Sequence, residues 1–204
     1  MRKQILILFA FTLFCLSKAQ KENLSSFYDS TINYQLPSKY FIYMEIEVHG
    51  NENFFYPAYY ELKSGLGYKL TKNKSALIGF GLINNYNNSV FNKQEFRVWL
   101  QDVINLKSGI FKFENRFQLE QSWIYEPLKN LNSKRNRFRY RLNISLPLNS
   151  KLVENGTIST NIYDEVFLSN PQKPTFSRNR FYSGLSYQIN KEITAYSCYL
   201  WESN

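Results

Sequence analysis

Arginine at every second position is the feature of this chain with the clearest chemical meaning. Arg137, Arg139 and Arg141 alternate with the aromatic residues Phe138 and Tyr140. Side chains two positions apart in a strand point to the same face, and a guanidinium group can hold a carboxylate through two parallel hydrogen bonds. The spacing therefore predicts a ladder of arginines on one face of a sheet, ready to bind carboxylates.

Acidic residues repeat with the same spacing and supply the carboxylates. Charges in an enclosed interior are tolerated only when they are paired, so we predict one Arg/Glu network on a common inner face, joined by Lys63 and Lys112. The network either fills and closes the interior, or lines a polar cavity or pore that selects anions. Its predicted members are Glu45, Glu47, Glu61, Glu95, Arg97, Glu114, Arg116, Glu120, Arg137, Arg139, Arg141, Glu165, Arg178 and Arg180.

Residues for catalysis or metal binding are scarce. His49 is the one histidine, and a lipid-modifying enzyme would need a serine beside it; the motif Gly-x-Ser-x-Gly is absent. Glu45 and Glu47 lie on one strand face, whereas a glycosidase pair flanks its sugar from opposite sides. With so few histidines and cysteines, the usual zinc sites are excluded. We predict no catalytic residue, no cofactor and no metal, and keep the enzyme as an alternative.

The elements that position these residues are predicted to be strands. Charged and apolar residues alternate with a period of two over about ten residues, as a strand that crosses a membrane at a tilt requires. A helix would scatter the same residues around its axis. The alternating segments are 27–36, 40–50, 54–70, 75–84, 94–106, 110–125, 137–146, 156–168, 176–189 and 192–201.

The other face of these segments is apolar, with aromatic residues such as Tyr40, Trp123 and Tyr125 near the segment ends. Since backbone groups in lipid must pair within the protein, a membrane protein without apolar helices has to be a closed barrel. We predict an all-β, antiparallel up-and-down transmembrane β-barrel. The alternative is a soluble periplasmic β-barrel that carries lipid.

Glycines two positions apart occur in two predicted strands, at Gly65 and Gly67 and at Gly79 and Gly81. Such pairs clear space on one face of a sheet. We expect large inner side chains to lie over them.

The connections are predicted to alternate in length. Tight turns at 37–39, 71–74, 107–109 and 190–191 would face the periplasm, and longer polar loops at 84–93, 126–135 and 169–175 would face outward. Lys129, Lys134 and Arg135 would then lie in a loop that can meet lipopolysaccharide phosphates. The last residues, 201–204, lack a terminal aromatic, so the prediction is ten strands, or about twelve if a closing strand lies beyond them.

The first nineteen residues predict export. Arg2 and Lys3 precede an apolar run at 5–16, which is shorter than the roughly 20 residues of a membrane helix, and the small residues Ser17 and Ala19 mark a cleavage site. We predict a signal peptide at 1–19, a barrel domain at 20–204, and a place in the outer membrane of a Gram-negative bacterium.

Removal of the signal lowers the net charge from +9 to +6 and leaves Cys198 as the one cysteine, so no internal disulfide can form. The surplus of positive charge suits outer-membrane lipids, including lipopolysaccharide. Export argues against nucleic acid as a partner. The sequence leaves the oligomeric state and any substrate open.

Several motifs in this order and spacing resemble one family, the bacterial outer-membrane barrels catalogued as domain of unknown function 2490. The resemblance implies the barrel fold and the outer-membrane location over most of the chain from about residue 27. It implies no activity, so no catalytic residue carries over. The motifs are EFRVWLQ at 95–101, ENRFQLEQ at 114–121, RFRYRL at 137–142, YDEVFL at 163–168 and RNRFYSGL at 178–185.

The exported protein is expected to begin at Gln20, because Ser17 and Ala19 fit the small-residue positions before a signal-peptidase cut. N-terminal sequencing of the protein from bacterial envelopes checks this. A mature protein that keeps residues 1–19 would contradict the prediction.

Overall fold

The computed structural model of the chain describes residues 26–50, 57–87, 89–170 and 173–203. The predicted signal peptide and residues 54–56 of the third predicted strand lie outside these ranges. The described part consists of strands and one short 3-10 turn, Pro127–Lys129. The strands are β1 (Phe27–Gln35), β2 (Tyr40–Gly50), β3 (Pro57–Lys69), β4 (Lys74–Asn87), β5 (Val90–Ser108), β6 (Phe111–Glu126), β7 (Leu131–Pro147), β8 (Ile158–Ser169), β9 (Thr175–Gln188) and β10 (Thr194–Ser203).

Each strand pairs antiparallel with its neighbour in sequence, so the ten strands form one up-and-down sheet in the order β1 to β10. This confirms the all-β prediction and the ten alternating segments. The sheet curves into a half-barrel and is open, because β1 and β10 each pair on one side only in the described part of the chain. The described residues therefore form the ten-stranded version of the prediction, in which a closing strand is lacking, and not a closed ring.

The predicted loops at 84–93 and 126–135 are wrong, because most of their residues belong to strands. β4 continues to Asn87 and β5 begins at Val90, while β7 begins at Leu131 and so includes Lys134 and Arg135. Polar composition suggested loops here, but the backbone of these residues completes the sheet ladder.

The predicted difference between the two ends is also wrong. The connection at 148–157 leaves the sheet at the same end as the tight turns before β2 and β10. Connection length therefore does not distinguish one end of the half-barrel from the other.

The two faces of the sheet carry polar and apolar side chains in the reverse of the arrangement usual in soluble proteins. Among the described residues, the buried hydrophobic side chains are only Leu77, Ile83, Trp99 and Phe167. Meanwhile Ile32 and Leu100 on the outer face are each 57% exposed, although large aliphatic side chains are normally among the most buried. The buried charged residues are Glu47, Glu61, Glu95, Arg97, Glu120, Arg137, Arg139 and Glu165.

The outer face carries aromatic residues towards both of its ends. Tyr40 packs against Tyr68 at the end that carries the β1–β2 turn, with 4.9 Å between ring centroids. At the other end the Phe96 and Trp123 rings lie 5.8 Å apart. Exposed aliphatic residues occupy the zone between them, namely Ile46, Leu62, Leu66, Ile78, Leu82, Leu100 and Leu119.

The paired glycines make room for inner rings, as expected from their spacing. Gly79 lies opposite Trp99 in the β4–β5 ladder, and a Cβ added at Gly79 would overlap the indole ring. Gly67 is likewise covered by Phe41. At Gly81, two positions along the same face, an added Cβ would come no closer than 3.4 Å to Trp99.

Gly79→Ala should therefore lower the free energy of unfolding by about 1–3 kcal/mol, the usual cost of overpacking, because the buried indole has little room to move. Gly81→Ala is the matched control and should change it by less than about 0.5 kcal/mol. Guanidinium unfolding of the protein in detergent, followed by tryptophan fluorescence, measures both. Equal effects would contradict this account of the glycines.

Candidate functional site

The inner face of the half-barrel carries every member of the predicted charge network. Alternation in the strands brings these side chains to one face, and the register sets them beside one another. Arg137 lies opposite Glu120 in β6, and Arg141 lies opposite Glu165 in β8. Lys63 and the fourteen residues named as members each form at least one salt bridge. Lys112, also predicted to join the network, is exposed.

The centre of the network is a pair of carboxylates bridged by Arg139. This residue donates from Nη1 to Glu120 at 2.8 Å and from Nη2 to Glu165 at 2.9 Å. Arg137 Nε also donates to Glu120, at 2.7 Å, and Arg116 Nη2 donates to Glu165 at 2.6 Å. Glu120 is 4% exposed and Glu165 is 1% exposed. Such deeply buried carboxylates require these charged donors, because an unpaired buried charge is very costly.

A second cluster surrounds Arg97 and joins the centre. Arg97 donates to Glu61 at 3.0 Å and to Glu95 at 2.9 Å, and its Nε lies 3.8 Å from Glu120. Arg135 donates to both oxygens of Glu95 at 2.8 Å. The network therefore extends continuously from β3 to β8.

The acidic side of the interior lies on β1 to β3. Asp29, Glu45 and Glu47 have carboxylate oxygens within 4.8 Å of one another, which is a spacing that could hold a metal ion. However, Lys63 Nζ already contacts Glu45 and lies 2.9 Å from Glu47. This ammonium group forms ion pairs with two of the three carboxylates, so the geometry is that of a salt-bridge cluster.

The basic side of the interior lies on β7 to β9 and surrounds one aromatic ring. The guanidinium carbons of Arg137, Arg139, Arg178 and Arg180 lie 5.1, 4.5, 5.9 and 5.3 Å from the ring centroid of Phe167. A phenyl ring attracts cations through the negative charge of its faces. Phe167 thereby separates four like charges while it fills the space between them.

Two members of the network were not predicted. Arg135 was assigned to a loop, yet it continues the odd-numbered series that starts at Arg137. Glu202 was treated as part of the chain end, but it binds both Arg178, at 3.1 Å, and Arg180. The signal was present for Arg135, which extends the series of odd-numbered arginines by one step. It was absent for Glu202, because Cys198 and Leu200 before it on the same face are apolar.

His49 is held by neighbours on the inner face. Its Nε2 donates to Glu47 at 2.6 Å, and its ring packs against Phe27 and Tyr59 at centroid distances of 4.8 and 4.5 Å. Cys198 is a free, exposed thiol. None of the described segments is a helix long and apolar enough to cross a membrane.

Fold and inner face together define a ten-stranded half-barrel with a charged interior. The sequence model of the family described as protein of unknown function (DUF2490) matches residues 24–204. The chain belongs to this family, which confirms the resemblance seen in the sequence motifs. A comparison with curated proteins gave no match.

Glu165→Gln is expected to lower the free energy of unfolding by roughly 3–5 kcal/mol, the cost of removing one partner from a buried ion pair. The loss follows because Arg139 and Arg116 keep their charges with one fewer carboxylate. Denaturant unfolding in detergent measures the change.

The control is Glu126→Gln, which removes an exposed salt bridge with Lys129. Exposed pairs contribute about 0–1 kcal/mol. Similar losses in the two variants would show that the central carboxylates do not hold the interior together.

Proposed function

We propose that this chain is an outer-membrane β-barrel protein with a structural or interaction role, whose interior is closed by the Arg/Glu network. The observation that carries the proposal is the reversed distribution of side chains. Charged residues are buried on the inner face, while large aliphatic and aromatic residues are exposed on the outer face. Lipid is the solvent for which this arrangement is favourable.

The reversed distribution argues against a soluble lipid carrier. Such a protein would turn its apolar face inward and its charges towards water. Soluble monomers rarely expose contiguous apolar patches larger than a few hundred Å², whereas here exposed apolar residues occur on every strand from β1 to β10. Burying this face in hydrocarbon stabilises the protein by about 25 cal/mol for each Å² removed from water.

The lengths of the strands suit a bilayer. They contain 9 to 19 residues, and a tilted strand needs about 9–11 to cross the hydrocarbon core. Polar groups on the outer face form hydrogen bonds with one another, as lipid would require. Tyr140 donates to Asn115 at 2.8 Å, and Asn179 donates to Asp164 at 3.0 Å. The aromatic residues near both ends suit the two membrane interfaces.

The inner network is proposed to act as a plug. Arg97 and Arg139 reach from strand to strand, and each binds two carboxylates. Side chains held in this way cannot swing aside without leaving buried charges unpaired. A closed interior leaves the outer face and the connections as the parts that meet partners, namely outer-membrane lipids including lipopolysaccharide. We propose no catalytic role, since His49 is engaged by Glu47 and two aromatic rings.

Two measurements on the full-length protein test this proposal. The protein should fractionate with outer membranes, and its gel mobility should change on heating, as it does for folded barrels. After insertion into a planar bilayer the wild type should show no conductance steps, whereas Arg139→Gln should produce them because it loosens the plug.

Lys129→Gln is the control for the conductance measurement, because Lys129 lies in the turn after β6 and outside the network. The Lys129→Gln variant should show no conductance steps. Recovery of the wild type in the soluble fraction would favour the lipid carrier, and steady anion conductance of the wild type would favour the pore. Either result would contradict the plugged barrel.

A further inference from the structure

One end of the interior contains a cavity of about 940 Å³, on the side where β2 connects to β3. The edge strands β1 and β10 both border it, through Tyr28 and Glu202 among others. Its volume is within the range of roughly 300–1,000 Å³ that is typical of small-molecule sites. The proposed plug gives this space no role.

The lining of the cavity is strongly basic. Among the described residues that line it, lysine and arginine outnumber glutamate by eight to three. The lining is more basic than the network as a whole, because most network carboxylates that do not line the cavity lie deeper in the interior or on β2. Arg137 and Arg139 form the floor around Phe167.

Three cations from different strands converge at the cavity. Lys93 on β5, Arg135 on β7 and Arg178 on β9 all line it. Arg135 and Arg178 retain about a third of their side-chain exposure, at 31% and 33%. A ligand that enters the cavity can therefore reach both guanidinium groups.

The nearby carboxylates neutralise only part of this charge. Glu95 is shared by Arg97 and Arg135, and Glu202 is shared by Arg178 and Arg180. Each of these carboxylates therefore forms salt bridges with two guanidinium groups. In addition, the Nε of Arg135 is buried and has no hydrogen-bond partner. A buried donor without an acceptor is unfavourable, so the hydrogen-bonding capacity of Arg135 is not fully used by Glu95.

We propose that this cavity binds a small molecule, or a lipid headgroup, through a phosphate group held by Arg135 and Arg178 with Lys93 beside them. Phosphate fits better than carboxylate, because a phosphomonoester carries close to two negative charges and three acceptor oxygens. Guanidinium groups bind such oxygens in pairs. Phe27 and Tyr59 also line the cavity and offer aromatic rings to the uncharged part of the ligand. The inference does not depend on the membrane location.

Glu202 is the residue that a phosphate would displace. It binds both Arg178 and Arg180 and is itself 29% exposed at its side chain. It therefore competes with the ligand for the same donors. Removing its charge should strengthen the binding of phosphate, whereas removing the charge of Arg178 should weaken it.

Calorimetric titration of the purified full-length protein in phosphate-free buffer tests the site. The free probe is pyrophosphate, and the headgroup probe is lipid A in mixed micelles. The wild type should bind at least one of them saturably. Arg135→Gln and Arg178→Gln should each weaken binding at least tenfold, and Glu202→Gln should tighten it several-fold. Binding of pyrophosphate alone assigns a soluble ligand, and binding of lipid A alone assigns a headgroup.

Lys129→Gln is the control, because Lys129 lies at the same end of the half-barrel but does not line the cavity. It removes one positive charge and should leave both affinities unchanged. Circular dichroism establishes that each variant keeps its strands. The proposal is overturned if neither probe binds saturably, if Lys129→Gln weakens binding as much as Arg178→Gln, or if Glu202→Gln weakens it. Fractionation with membranes is a separate result and bears only on the location.

Discussion

The bridge that Arg139 makes between Glu120 and Glu165 is the interaction on which the interior depends. A strand that turns aromatic residues to one face must turn its arginines to the other, and curvature brings those arginines together. Their repulsion is acceptable only because β6 and β8 present carboxylates at matching register positions. Sheet register and charge balance therefore depend on each other: a slip of one residue in a strand would turn the inner charges of that strand to the outer face.

The outer face follows from the same constraint. With the inner positions taken by charged groups, the apolar residues have no protein core to enter and remain exposed along every strand. The few inner hydrophobic residues act as spacers. Trp99 fills the room above Gly79, and Phe167 separates the arginines of β7 and β9. Apart from such spacers, the described part of the protein obtains little stability from a hydrophobic interior.

Much of this structure can be predicted from the sequence, because a period of two determines both the strand and its faces. The alternation from Arg137 to Leu146 identified β7 and its inner arginines. Strand ends were less predictable: Lys134 and Arg135 have the composition of a loop, although Arg135 keeps the odd-numbered spacing of the arginines, and pairing with β6 places both residues in the sheet. The open edge between β1 and β10 and the cavity beside it depend on curvature, which alternation does not encode.

The central claim is that the outer face lies in lipid while the charged face is enclosed, and two tryptophans report on it directly. Trp123 is 42% exposed on the outer face, and Trp99 is 3% exposed on the inner face. Variants that keep only one of them, with phenylalanine at the other tryptophan positions, can be reconstituted in bilayers of brominated phospholipid. The account predicts strong quenching of Trp123 fluorescence and little quenching of Trp99. Equal quenching, or stronger quenching of Trp99, would contradict it.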